Sequence, residues 1–172
     1  MNGGNVYLVG MMGAGKTTVG KRLARALDRQ FVDLDKVIEK STGVSVTTIF
    51  EIEGEAGFRQ REVQSLGEAA GQGNLVVATG GGAVLSPINR TRMQATGYVV
   101  YLHAKPELLY ERTRHDKGRP LLKVDNPLVR ITELVVKRDP LYREIANLVV
   151  ESNAGLIATV NRIRQEVMPC HP

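Results

Sequence analysis

Residues 10–17 read Gly-Met-Met-Gly-Ala-Gly-Lys-Thr, and no other segment constrains the fold as strongly. The octapeptide fits G-x-x-x-x-G-K-[ST], and its flanks fit as well. Val6-Tyr7-Leu8-Val9 before it is a short buried strand by composition, and Val19, Leu23, Ala26 and Leu27 after it share one helical face. Strand, glycine loop and helix in that order form a cradle for a phosphorylated ligand. The glycines let successive N–H groups point at one anion, and the helix that starts near Gly15 adds the positive end of its dipole. The residue types then imply roles. Lys16 reaches β- and γ-phosphates as a point charge, and the Thr17 hydroxyl ligates Mg²⁺.

Four further apolar runs have strand character: Phe31-Val32, Leu75-Val76-Val77-Ala78, Tyr98-Val99-Val100-Tyr101-Leu102 and Leu148-Val149-Val150. Helical periodicity fills the spaces between them. Val37 and Ile38 are separated from Ile49-Phe50 by a break at Thr42-Gly43. Longer helices follow on Phe58, Val63, Leu66 and Ala70, on Leu108 and Leu109 after Pro106, on Leu128, Ile131, Leu134 and Val135, and on Leu156, Val160, Ile163 and Val167. This alternation predicts an α/β protein with a parallel sheet covered on both faces. At 172 residues the chain reads as one domain. One polar segment, His115 to Pro127, is long for a connection between helices, and its basic content beside a nucleotide site predicts a lid.

Charge and cysteine usage narrow the class. The net charge is +5, but the basic residues are dispersed and aromatics make up only 5%, which argues against a nucleic-acid partner. No apolar run has the length of a membrane span. Cys170 is the only cysteine, and the first residues lack the pattern of a signal peptide, so the expectation is a cytosolic protein.

Several polar residues are candidates for chemistry. Asp33 and Asp35 lie at the end of the second strand, where ligands bind in parallel sheets. The strand at 75–78 ends in Thr79-Gly80 rather than in an acid, so Asp33 is the candidate to hold Mg²⁺ through water. Asp35 either accepts from a substrate hydroxyl or merely caps a helix starting at Lys36. Gly80-Gly81-Gly82 suggests a backbone that another molecule approaches closely. Arg59 and Arg138 fall on apolar helical faces. They either clamp a carboxylate together or pair internally with Asp33, Asp35 or Glu62. Arg119, in the lid, can close over a transferring phosphoryl group or remain a solvated loop arginine. His103, His115 and His171 have no metal-ligand spacing.

Taken together, Gly-Ala-Gly-Lys-Thr-Thr at 13–18, Asp33-Leu34-Asp35, Gly57-Phe58-Arg59, Gly80-Gly81-Gly82-Ala83-Val84, Arg119-Pro120-Leu121-Leu122 and Arg138-Asp139-Pro140-Leu141-Tyr142 resemble the shikimate kinases over nearly the whole chain. The resemblance implies ATP-dependent phosphorylation of the shikimate 3-hydroxyl, Mg²⁺ as cofactor and a monomer in the cytoplasm. It implies a five-stranded parallel sheet of order 2-3-1-4-5 in the three-layer fold of nucleoside monophosphate kinases. A single domain over 1–172 would carry a substrate-binding helical region at about 34–61 and a lid at about 113–126. ATP would meet Gly13, Ala14, Gly15, Lys16, Thr17, Thr18, Arg112 and Arg119. Shikimate would meet Asp35, Arg59, Gly81, Gly82 and Arg138. The catalytic groups would be Lys16, Asp35 and Arg119, and the metal site Thr17 and Asp33. Asn153 is the nearest position to the family's adenine contact. The alternatives are a kinase of the same fold acting on another hydroxylated acid such as gluconate, a nucleotide-binding switch, and a nucleic-acid-dependent ATPase. The triple glycine and the Arg138 segment favour shikimate.

Overall fold

The computed structural model describes residues 3–168; Cys170 and His171 lie outside the described residues. Strand β1 (Asn5–Val9) is buried along its whole length. It pairs in parallel with β3 (Leu75–Ala78), Val6 facing Val76, and with β4 (Gly97–His103), Val6 facing Tyr98. Strand β2 (Gln30–Asp33) extends the sheet beyond β3, and β5 (Leu148–Glu151) beyond β4. The order is β2-β3-β1-β4-β5, all parallel, as the resemblance implied. The path from β1 leads to β2 on one side, and that from β3 leads to β4 on the other. The carboxyl ends of the strands therefore open a crevice at β1, where α/β sheets bind ligands.

Alternation along β1 sorts the two covering layers. Leu8 points toward α1 (Lys16–Ala26), while the Tyr7 hydroxyl meets Thr96 at 2.7 Å in α4 (Pro87–Thr96). Helices α1 and α7 (Leu156–Val167) lie together on the first face. The second face carries α4, the C-terminal part of α3 (Val46–Gln72) and α6 (Pro127–Ile145), with α5 (Pro106–Thr113) against α6. The main core of Val, Leu, Ile and Tyr side chains sits between these layers and the sheet.

Helix α4 went unanticipated, because its buried side is only Asn89 and Met93 and gives almost no apolar periodicity. Its start was nevertheless encoded: Ser86 accepts from Asn89 N–H, and Pro87 occupies the first turn. Helix α2 (Leu34–Thr42) ends at Gly43 in the left-handed region, the break expected there. The long helix marked by Phe58 begins earlier, at Val46, capped by Ser45. It is interrupted at Gly54, whose φ of 70° and ψ of −177° leave the helical region. Around that interruption, Ile38, Ile49 and Phe58 form a second apolar cluster separate from the main core.

Candidate functional site

The loop after β1 turns through Gly13 and Gly15, whose φ values of 80° and 95° put both in the left-handed region. Gly15 is the residue from which α1 starts, so the helix N-terminus faces the cradle. Lys16 bends back into the loop, its Nζ donating to the carbonyls of Gly10 at 2.6 Å and Met11 at 2.9 Å. Burial lowers its pKa from the ordinary 10.5 to about 8, with Arg119 and Arg138 adding to the fall and Asp35 and Asp33 opposing it.

The Thr17 hydroxyl donates to Asp33 Oδ2 at 2.7 Å. Asp33 Oδ1 accepts from the backbone N–H of Lys36 at 3.3 Å. Asp33 therefore caps α2, which begins at Leu34. This corrects the reading of Asp35 as the cap of a helix starting at Lys36. Capping falls to Asp33 because the strand runs directly into the helix at Leu34. Freed from that role, Asp35 sits in the first turn with Oδ1 buried and without a hydrogen-bond partner. Burial raises its pKa and nearby Asp33 raises it further, against the pull of Lys16 and Arg119.

Two clefts meet here. The first, about 490 Å³, runs from Lys16 and Thr18 past Arg112 and Arg119 to Asn153 and Leu156. The second, about 730 Å³, holds Arg59, Glu62, Gly80, Gly82 and Arg138. Met12, Thr17, Asp33, Asp35, Gly81 and Arg119 line both. Arg112 donates to Gly13 O at 3.1 Å and to Ser152 Oγ at 2.6 Å, and Ser152 Oγ donates to Ala14 O at 2.6 Å. Ser152, which braces the loop from the end of β5, was missed in the sequence. Its signal was its place just beyond the carboxyl end of a strand.

The two inward arginines divide between the two readings. Arg59 Nη1 pairs with Glu62 at 3.0 Å and Nη2 with Glu55 at 3.1 Å, so the internal partner Glu62 is engaged and Glu55, not anticipated, joins it. Only Arg59 Nε is left buried without a partner. Arg138 is 1% exposed, and its Nε and Nη1 have no hydrogen-bond partner. Glu62 is also buried. Burial raises its pKa, countered by Arg59, and its Oε2 is unpartnered. A buried guanidinium with unspent donors is costly unless something fills them, and one wall of its cleft stands close beside it.

That wall is the triple glycine. A Cβ on Gly80 would collide with Glu62 Oε2 and approach Asp35 Oδ1 at 3.1 Å, and one on Gly82 would collide with the Arg59 guanidinium. Gly81 has Met12 N and Arg138 Nη1 at 3.3 and 3.4 Å from the same position. The close approach expected of these glycines is thus first to the protein's own charged groups. The space saved keeps Arg59, Glu62 and Arg138 against the cleft.

Arg119 lies in the connection between α5 and α6, its Nε donating to Asp116 at 2.8 Å. Asp116 also accepts from Gly118 N–H at 2.9 Å, and these contacts hold its pKa below the usual range.

The donor set suits Mg²⁺. Among the described residues there is no cluster of three or more His, Cys, Asp or Glu that would make an all-protein cage. Mg²⁺ keeps most of its water and takes one or two protein oxygens beside the phosphates, and the adjoining Thr17 hydroxyl and Asp33 carboxylate offer those. No helix among the described residues is long and apolar enough to cross a membrane.

Comparison with known proteins agrees with this geometry. The family model described as shikimate kinase matches residues 12–168. Shikimate kinase from Dechloromonas aromatica (strain RCB) is 58% identical over 149 residues, 87% of this chain and 81% of the relative. A solved structure, shikimate kinase from Acinetobacter baumannii in complex with shikimate, superposes with a TM-score of 0.93 at 48% identity, covering 95% of this chain and 92% of the other. A gluconokinase from Sinorhizobium meliloti 1021 shares the fold, with a TM-score of 0.60 at 19% identity over 95% of this chain and 94% of the other. The chain belongs to the shikimate kinase family.

Proposed function

We propose that the chain transfers the γ-phosphoryl group of ATP to the 3-hydroxyl of shikimate, giving shikimate 3-phosphate and ADP. The observation that carries this reading is the group of unspent polar atoms in the second cleft: Arg138 Nε and Nη1, Arg59 Nε, Asp35 Oδ1 and Glu62 Oε2. Cationic donors await an acid and a carboxylate oxygen awaits a hydroxyl, one wall away from the phosphate loop.

ATP is taken by the loop from Gly13 to Thr18, with Arg112 and Asn153 lining the far end of its cleft. Thr17 and Asp33 would hold Mg²⁺, which neutralises the β- and γ-oxygens when bound. Arg138 receives the shikimate carboxylate through paired hydrogen bonds, and Arg59 adds its free Nε while holding Glu62. Gly81 and Gly82 form the wall against the ring. Asp35 accepts from the 3-hydroxyl; its raised pKa makes it a better proton acceptor than an exposed carboxylate. Lys16 exchanges its loop carbonyls for phosphate oxygens, and Arg119 leaves Asp116 to meet the charge of the transferring group. The segment at about 113–126 acts as the lid and that at about 34–61 as the substrate-binding region, in one domain. The lid shuts out water that would otherwise hydrolyse ATP. We place the protein in the cytoplasm as a monomer.

The test is coupled ADP release with ATP, Mg²⁺ and a panel of acids including shikimate and gluconate. Turnover should depend on shikimate. A preference for gluconate, or ADP release independent of any acceptor, overturns the assignment.

A further inference from the structure

Arg138 and Gly81 come from different elements, and one side chain links the helix of the first to the backbone of the second. Tyr142, one turn after Arg138 on α6, is 0% exposed, and its hydroxyl donates to the Gly81 carbonyl. Gly81 in turn lies against the Arg138 guanidinium: a Cβ on Gly81 would stand 3.4 Å from Arg138 Nη1. Behind the hydroxyl, the Tyr142 ring stacks on Tyr101 of β4, with ring centroids 4.8 Å apart. The Tyr101 hydroxyl donates to Asp139 at 2.8 Å, and Asp139 accepts from Arg143 at 2.8 Å. The ring is thus fixed by the central sheet on one side and by its own helix on the other. Packing alone would need only the ring; the hydroxyl is spent on the site.

We propose that Tyr142 is a positioning residue for shikimate: its hydroxyl ties α6 to the Gly81 backbone and so keeps that peptide and the Arg138 guanidinium of the same helix in the mutual orientation that the acid requires. Arg138 has few other restraints, since its Nε and Nη1 make no hydrogen bond within the protein. Gly81 offers no side chain by which its peptide could be anchored. Without the hydroxyl, the Gly81 peptide is free to rotate and the guanidinium loses one of its fixed neighbours. ATP contacts neither group directly in this scheme, so its affinity should be indifferent. The proposal rests on the reading of the second cleft as the shikimate site.

The experiment uses the full chain with Tyr142→Phe, which keeps the ring and its stack, and Tyr142→Leu, which removes both. The KM for shikimate should rise about 5- to 20-fold in Tyr142→Phe, the effect of one lost buried hydrogen bond, with the KM for ATP changed less than about twofold. Its melting temperature should stay near wild type, and only Tyr142→Leu should melt markedly earlier. A role in packing alone makes the opposite forecast: Phe restores normal shikimate affinity and Leu fails through instability. That result, or equal changes for both substrates, overturns the proposal. Should Tyr142→Phe itself melt early, calorimetric shikimate binding below its melting point decides: unaltered affinity relative to wild type rejects the role, and weakened affinity with intact nucleotide binding supports it. Wild-type enzyme without shikimate-dependent turnover sinks the functional assignment instead, and is seen before any variant is made.

Discussion

The Thr17 hydroxyl and the Asp33 carboxylate are joined by a 2.7 Å hydrogen bond that ties the first turn of α1 to the end of β2. The same carboxylate caps α2 through its other oxygen, so one side chain serves the fold and, in the proposed assignment, the Mg²⁺ site as well. Asp33→Asn separates the two, because asparagine caps a helix about as well as aspartate. Stability should change by less than about 1 kcal/mol, while the Mg²⁺ concentration for half-maximal rate rises about tenfold, as expected for a lost charged partner near the ion. A Mg²⁺ titration at fixed ATP, beside a denaturant melt, checks both halves.

Lys16→Ala should cut turnover by about 10³-fold or more with the fold intact, since the phosphate cradle loses its point charge. The lowered pKa of Lys16, about 8, adds a pH signature. Above that value the free enzyme loses the ammonium, so ATP affinity should decline with rising pH in wild type and stay flat in Lys16→Ala. Stability runs the other way. Between about 8 and 10.5 the unfolded chain holds the proton that the folded chain has released, so this residue makes folding more favourable as pH rises through that window. Nucleotide binding and thermal melts across pH 7 to about 10 test the opposed slopes.

Arg59 and Arg138 should fail differently. Arg138→Ala removes a guanidinium with two unspent donors and should raise the KM for shikimate about 100-fold, ATP affinity being retained. Arg59→Ala also weakens shikimate, but in addition it strands buried Glu62, a loss of about 3 kcal/mol for a broken buried pair. Glu62 already has a raised pKa, and loss of Arg59 raises it further. The folded variant then holds a proton that the unfolded chain releases, so its destabilisation should be larger at pH 8 than at pH 5. Melting curves at the two pH values, with KM for each substrate, distinguish the arginines.

Arg119→Ala should slow the chemical step by about 10²-fold while both substrates still bind, because the arginine acts on charge developing in the transition state. Single-turnover measurement isolates that step. An unaltered rate removes Arg119 from the mechanism.

Much of this arrangement was legible because it follows from pattern. The five apolar runs became the five strands, and the loop at 10–17 stands where its flanking strand and helix require. Arg138 was found as a cation on an apolar face, and it is buried. What escaped depends on contacts between residues distant in sequence. Ser152 bonds Ala14 across 138 positions, and no local rule encodes that. Whether Arg59 faces an acid of the protein or of a ligand could not be read from its helical face alone. Glu55 and Glu62 are at i−4 and i+3 and so within its reach, but which of them is buried depends on the glycine segment at 80–82 that packs against Glu62. Helix α4 was hidden for the opposite reason: its buried side is largely polar, Asn89 satisfying the Ala83 carbonyl at 3.0 Å in place of an apolar contact.

The small cluster of Ile38, Ile49 and Phe58 stands apart from the sheet's own interior, next to a glycine that interrupts its helix. Cooperativity need not extend across such a seam. The amides of α2 and of the first turns of α3 should therefore exchange with deuterium sooner than those of β1, β3 and β4. The part of the molecule that softens first on warming is then the one containing Asp35, while the phosphate loop keeps its shape.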